Sequence, residues 1–132
     1  MPLTLEIVTP EQRALTVTCD EVRLPGADGG FGVRPGHTPL VAALVPGELA
    51  YLTGGALHRF AVGEGFSEVA DDRVRVLVEE AFRAEDLDPA AMVKELEERK
   101  QHLAGLREDE AGYEKARARV ESSAARVAIT RR

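Results

Sequence analysis

The chain has 132 residues, 44% of them apolar and 30% charged, which suits one ordinary domain or a small domain with an appendage and not a disordered segment. Its net charge of −6 argues against nucleic acid as a partner, because phosphate recognition needs a basic surface. Aromatics make up only 5% and Trp is absent, so the core has to be aliphatic.

The N-terminus, MPLTLEIVTPEQ, has no basic start followed by an apolar run, so no signal peptide is expected. Short alternating elements follow. Leu3, Leu5 and Ile7 alternate with Thr4 and Glu6, and Leu15, Val17 and Cys19 with Thr16 and Thr18. Cys19 is the single cysteine; an internal disulfide is excluded, and its place in the pattern reads as a buried structural thiol. Val22 and Leu24 precede the breaks at Pro25-Gly26 and Asp28-Gly29-Gly30. Val41 to Val45 ends at Pro46-Gly47, and Leu49 and Tyr51 precede Gly54-Gly55. Leu57 to Val62, Phe66 to Ala70 and Val74 to Val78 complete the set, with Asp71-Asp72 as an exposed hairpin turn. Strands at this spacing, separated by turn residues, predict an antiparallel β-sandwich over residues 1–83.

The period then changes. Asp88-Pro89 reads as a helix start, with a capping carboxylate and Pro at the first helical position. Val93, Leu96, Lys100, Leu103 and Leu106 form one helical stripe. After a break within Gly105 to Gly112, Tyr113, Ala116, Val120, Ala124 and Val127 form a second. The expected class is therefore α+β: the sandwich, then an antiparallel helical hairpin over residues 84–132. The second stripe is narrow and Ala-rich, so the hairpin is expected to be held weakly and to be able to detach. Charge is also uneven. Residues 1–82 carry 6 basic and 12 acidic side chains, whereas the last 18 residues hold Lys115, Arg117, Arg119, Arg126, Arg131 and Arg132 against Glu121 alone. A cationic end of this kind suggests contact with something negative.

The most specific stretch is GGFGVRPGHTPL, Gly29 to Leu40. Glycines and two prolines around His37 predict a rigid, shaped loop and no regular strand. This pattern, with the LEIVTPE start and the run from Gly65 to Asp88, resembles the epsilon subunits of bacterial and chloroplast F-type ATP synthases along the whole chain. The resemblance implies a non-catalytic rotor subunit that binds the gamma subunit, the c-ring and the alpha and beta subunits. It would sit as a peripheral component on the cytoplasmic face of the bacterial plasma membrane. It implies that Phe31, Val33, Arg34, Pro35, Gly36, His37, Pro39 and Leu40 form the gamma and ring contact. It also implies that Lys115, Arg117, Arg119, Arg126, Arg131 and Arg132 meet the beta subunits and restrain ATP hydrolysis.

Other chemistries are set aside. No P-loop, G-x-S-x-G elbow or H-E-x-x-H helix occurs. His37 lacks ligands at metal spacing and reads as a loop-fixing residue bonded to backbone. No catalytic residue, metal or cofactor is expected. Some members of the resembled family bind ATP through an I/L-D-x-x-R-A motif, for which this chain has Leu87-Asp88-Pro89-Ala90-Ala91-Met92. The missing Arg weakens phosphate binding. ATP remains a weak regulatory ligand at most, at Leu87, Asp88 and Arg99. A free-standing nucleotide-sensing module is the alternative reading; a hydrolase built on His37 is a further one.

Overall fold

A computed structural model describes residues 2–131. Alternating side chains make ten strands: β1 (Leu3–Val8), β2 (Arg13–Cys19), β3 (Glu21–Leu24), β4 (Phe31–Val33), β5 (Leu40–Leu44), β6 (Gly47–Thr53), β7 (Ala56–Val62), β8 (Gly65–Ala70), β9 (Arg73–Val78) and β10 (Ala81–Arg83). They form two five-stranded sheets, β2-β1-β9-β8-β5 and β10-β7-β6-β3-β4. Leu3, Leu5 and Ile7 of β1 and Val74, Val76 and Val78 of β9 bury against Val22, Leu24, Val33, Leu49 and Phe60 of the other sheet. Each such side chain contributes about 1.5–3 kcal/mol when fully removed from water. Cys19 belongs to this core, as expected, and burial pushes its thiol pKa up.

Three details differ from the sequence expectation. β1 and β9 pair in parallel, so the sandwich is not wholly antiparallel. Phe31–Val33, expected to be irregular, is a strand paired with β3. Its three residues suffice because Val33 faces the core while Gly32 faces out. β10, too short to show a period, closes the other edge of the same sheet against β7. The tight turns follow their residue types. Asp71 (φ 51°) and Asp72 (φ 58°) link β8 to β9, and Gly54 and Gly55 link β6 to β7, all in the left-handed region that two-residue hairpins demand.

A 3-10 turn at Ala84–Asp86 leads to helices α1 (Pro89–Ala104) and α2 (Tyr113–Thr130). Pro89 starts α1, but the expected cap by the Asp88 carboxylate is absent; Asp88 offers only its backbone carbonyl, to Met92 N–H. α1 rests on α2, and α2 rests on the outer face of β6 and β7. Leu49–Tyr51 and Phe60–Val62 are buried at three consecutive positions, so both faces of the sheet are covered there. α1 has no fully buried side chain, and Val93 and Lys100 of its predicted stripe are exposed. On α2 the predicted Ala124 is exposed, whereas Ala116, Ser122, Ser123, Arg126, Val127 and Ile129 are buried. The reason is geometric: α2 is sandwiched between α1 and the sheet, so two of its faces are covered instead of one stripe.

Gly65 sets the approach of β8 to β9. A Cβ there would stand 1.9 Å from the Leu77 carbonyl oxygen, a backbone atom that cannot swing aside. Gly65→Ala is therefore expected to destabilise the sandwich by about 2–3 kcal/mol, the upper part of the range for overpacking. Denaturant unfolding checks this, and an unchanged midpoint would contradict it.

Candidate functional site

Two surfaces of the β10-β7-β6-β3-β4 sheet are distinct in chemistry. The first is the corner after β4. Val33 is fully buried in the core and supports the corner from beneath. Beyond it Arg34, Pro35, Gly36, Pro39 and Leu40 are exposed, and Phe31 and His37 half-buried. The corner is held by five polar contacts. Gly36, at φ 84°, donates its N–H to Asp72 Oδ1 at 2.7 Å, tying the loop to the β8–β9 turn. His37 N–H donates to the Arg34 carbonyl, and His37 Nδ1–H donates to the Thr38 carbonyl at 2.7 Å. The expected loop-fixing role of His37 is thus seen. Arg34 Nε donates to Glu21 at 2.7 Å, and Arg23 Nε donates to the same carboxylate at 2.6 Å. The hydrogen bond from Arg34, and then that from Arg23, lowers the Glu21 pKa below the ordinary carboxylate value.

These residues wall an open groove of about 770 Å³, with Phe31, Ala50 and Leu57 as its apolar floor and Arg23, Glu48 and His37 along its sides. Mixed charge around an apolar strip suits a protein partner. Among the described residues no group of three His, Cys, Asp or Glu side chains is placed to hold a metal ion.

The second surface is where the hairpin meets the sheet. Arg126, expected among the cations that meet the beta subunits, is only 3% exposed in this folded hairpin. Its guanidinium donates to Glu80, just before β10, at 2.5 Å, to Glu95 of α1, and to Ser123 Oγ at 3.2 Å. It also stacks on the Phe82 ring at 4.8 Å. Arg99 completes the group, 3.6 Å from Glu80, while donating to the Arg119 carbonyl at 2.9 Å. Two cations and two carboxylates therefore join head, α1 and α2. Removing one partner of a fully buried pair costs about 3–5 kcal/mol; with Glu80 and Glu95 at 26% and 36% exposure, the low end applies. The apolar part of the interface, led by Val127 and Ile129, is of comparable size, so one ionic junction is a large share of what holds the hairpin down.

The other predicted cations lie apart from it. Lys115, Arg119 and Arg131 are exposed. Arg117 is paired with Glu114 and Glu121 on its own helix; the Glu114 hydrogen bond, with the nearby Glu121 charge, pushes its pKa up. Arg132 lies outside the described residues. Leu87 lines a hollow of about 280 Å³ with His58, Arg59, Arg83 and Thr130, but neither Asp88 nor Arg99 lines it. The three residues of the expected nucleotide site are thus not gathered in one hollow.

Sequence reasoning passed over Asp72, Glu80, Phe82, Glu95 and Ser123. One signal was available: Glu95 and Arg99 are four apart on α1, and Ser122-Ser123 interrupts the apolar stripe of α2.

A small β-sandwich followed by a helical hairpin, with an exposed glycine-proline corner, defines the class of the delta and epsilon chains of ATP synthases. Residues 2–84 match the family described as the ATP synthase delta/epsilon chain β-sandwich domain. The ATP synthase epsilon chain of Anaeromyxobacter dehalogenans (strain 2CP-C) is 48% identical over all 132 residues of both chains. That of Myxococcus xanthus (strain DK1622) is 39% identical, over 95% of this chain and 92% of its own. The chain belongs to the ATP synthase epsilon chain family. Its fold also matches chains in two solved assemblies. In the Euglena gracilis mitochondrial ATP synthase (OSCP/F1/c-ring) the TM-score is 0.76 at 24% identity, over 94% of this chain and 78% of the other. In the Tetrahymena thermophila mitochondrial ATP synthase central stalk/c-ring it is 0.64 at 14% identity, over 98% and 97%.

Because Glu21 titrates below its unfolded value, its contribution to the corner is complete above about pH 4.3 and is lost as pH falls through the lowered folded value. In Arg34→Ala the Glu21 carboxyl is expected to titrate closer to about 4.3. A carboxyl-resolved NMR titration measures this; an unmoved value would show that Arg34 does not bind Glu21 in solution.

Proposed function

We propose that this chain is a rotor subunit of an F-type ATP synthase that performs no chemistry of its own. The head grips the gamma subunit and the c-ring through the corner of Phe31 and Arg34–Leu40, and so carries torque between ring and catalytic head. The observation that carries this reading is the corner itself. It is exposed, braced by Asp72 and Glu21, and set beside an apolar-floored groove, as a docking surface has to be. No helix among the described residues is long and apolar enough to cross a membrane. A peripheral place on the cytoplasmic face of a bacterial plasma membrane, held by other subunits, suits such a chain.

The hairpin is the regulatory part. Docked on the head it leaves rotation free. Released, it extends along gamma and offers Lys115, Arg117, Arg119, Arg126, Arg131 and Arg132 to the acidic surface of the beta subunits, blocking hydrolytic rotation. Each state is selected by differential contacts. Single exposed ion pairs contribute about 0–1 kcal/mol, so the cluster has to act together.

A nucleotide-sensing role has one observation in its favour, the hollow beside Leu87 with Arg59 and Arg83 on its walls. Calorimetry with ATP on the isolated chain tests it; no heat of binding at millimolar ATP removes it.

Deleting residues 110–132 is expected to raise the ATPase rate of the reconstituted complex several-fold. An unchanged rate would remove the inhibitory role of the tail while leaving the docking role intact.

A further inference from the structure

We infer that Arg126 is the latch of the hairpin: a buried guanidinium that locks α2 to both α1 and the head through Glu95 and Glu80, and that has to be withdrawn from them before the hairpin can leave. The inference rests on the proposal that the hairpin is a mobile regulator, but not on which subunit it meets when released.

Three features separate a latch from an ordinary surface ion pair. First, Arg126 is the buried cation of the hairpin, and its two NH groups divide between carboxylates on different bodies, Glu80 of the head and Glu95 of α1. Opening either the hairpin or the hairpin–head contact breaks one arm. Second, its Nε has no partner among the described residues. The guanidinium is thus not fully satisfied even when docked, and losing either carboxylate leaves it only the other one and the Ser123 hydroxyl. Third, the sheet is shaped to receive the helix here. A Cβ on Gly63 would lie 3.3 Å from Ser122 Oγ and 3.3 Å from the Glu80 backbone nitrogen, so α2 comes as close as it does because residue 63 has no side chain. Phe82 supplies an aromatic face for the guanidinium at the same spot.

The consequence is exclusive use. In the docked state Arg126 is consumed internally, while Lys115, Arg119 and Arg131 stay exposed. Arg126 joins an outward-facing cationic cluster only after the latch opens. The charge available to an external acidic partner therefore rises on release, and the same guanidinium stabilises one state or the other, never both.

The test uses the full chain with spin labels on Ala70→Cys of the head and Ala128→Cys of α2, both exposed positions. Cys19 is buried and stays unlabelled. Pulsed dipolar spectroscopy then reads the docked and released populations. With Arg126 intact a single short distance is expected. Arg126→Ala and, separately, Glu80→Gln are expected to raise the released fraction at least tenfold relative to the docked one. Arg126→Lys, which keeps the charge but loses the fork, should fall between. Gly63→Leu opens the hairpin sterically and gives the reference distance of the released state. Hydrogen exchange in β1 and β9 is expected to stay unchanged in all of them, so that release is separated from unfolding of the head. Unchanged distances in Arg126→Ala and Glu80→Gln, with Gly63→Leu opening normally, would overturn the latch. A hairpin that opens as described in a complex whose hydrolysis is indifferent to tail deletion would overturn the regulatory role and leave the latch standing.

Discussion

A guanidinium taken out of water has to be met by carboxylates, and that constraint shapes how this molecule is put together. Without Glu80 and Glu95, Arg126 would pull α2 off the sheet. With them, the helix gains an ionic junction where head, α1 and α2 converge. The rest of the hairpin contact is thin. α1 has no fully buried residue; it packs mainly on α2 and meets the head through the Arg99–Glu80 contact. An interface divided between one ionic junction and a small apolar patch around Val127 and Ile129 has few interactions to lose on opening.

The head is built on the opposite principle. Its core is distributed over both sheets in residues such as Leu3, Leu5, Ile7, Val74 and Val76, and no single contact dominates it. That rigidity fixes the corner at Arg34–Leu40. The Gly36–Asp72 bond joins the edge of one sheet to a turn of the other, so the corner moves with the whole sandwich. A stiff head and a lightly held hairpin suit the proposed torque-bearing, switchable subunit, and they come from different kinds of interaction.

What the sequence revealed follows the same division. The period-2 pattern made most of the strands legible, since sandwich burial alternates strictly in β1 and β9. Glycine and proline spacing revealed the turns and the corner. β4 and β10 were not legible, because three residues are too few to display a period. The covered face of α2 was misread for a physical reason: the 3.6-residue stripe assumes one buried side, and α2 has two. Arg126 was grouped with Arg117 and Arg131 because charge alone does not tell a solvated cation from a latched one. Only the fold brings Glu80, which is 46 residues away, to its side. Val33 was assigned to the contact surface by its place in the Gly29–Leu40 motif, and a motif does not tell an inward side chain from an outward one; Val33 is buried in the core.

The claim on which the functional account stands is that the braced corner is what binds the rotor. The direct measurement is the affinity of the purified full chain for a purified gamma subunit, compared with Arg34→Glu/His37→Ala at the corner. The account predicts a head that stays folded by circular dichroism, with a slightly lowered melting temperature, and a loss of affinity of about tenfold or more, equivalent to about 1.4 kcal/mol. Equal affinity of the two proteins for gamma would contradict it.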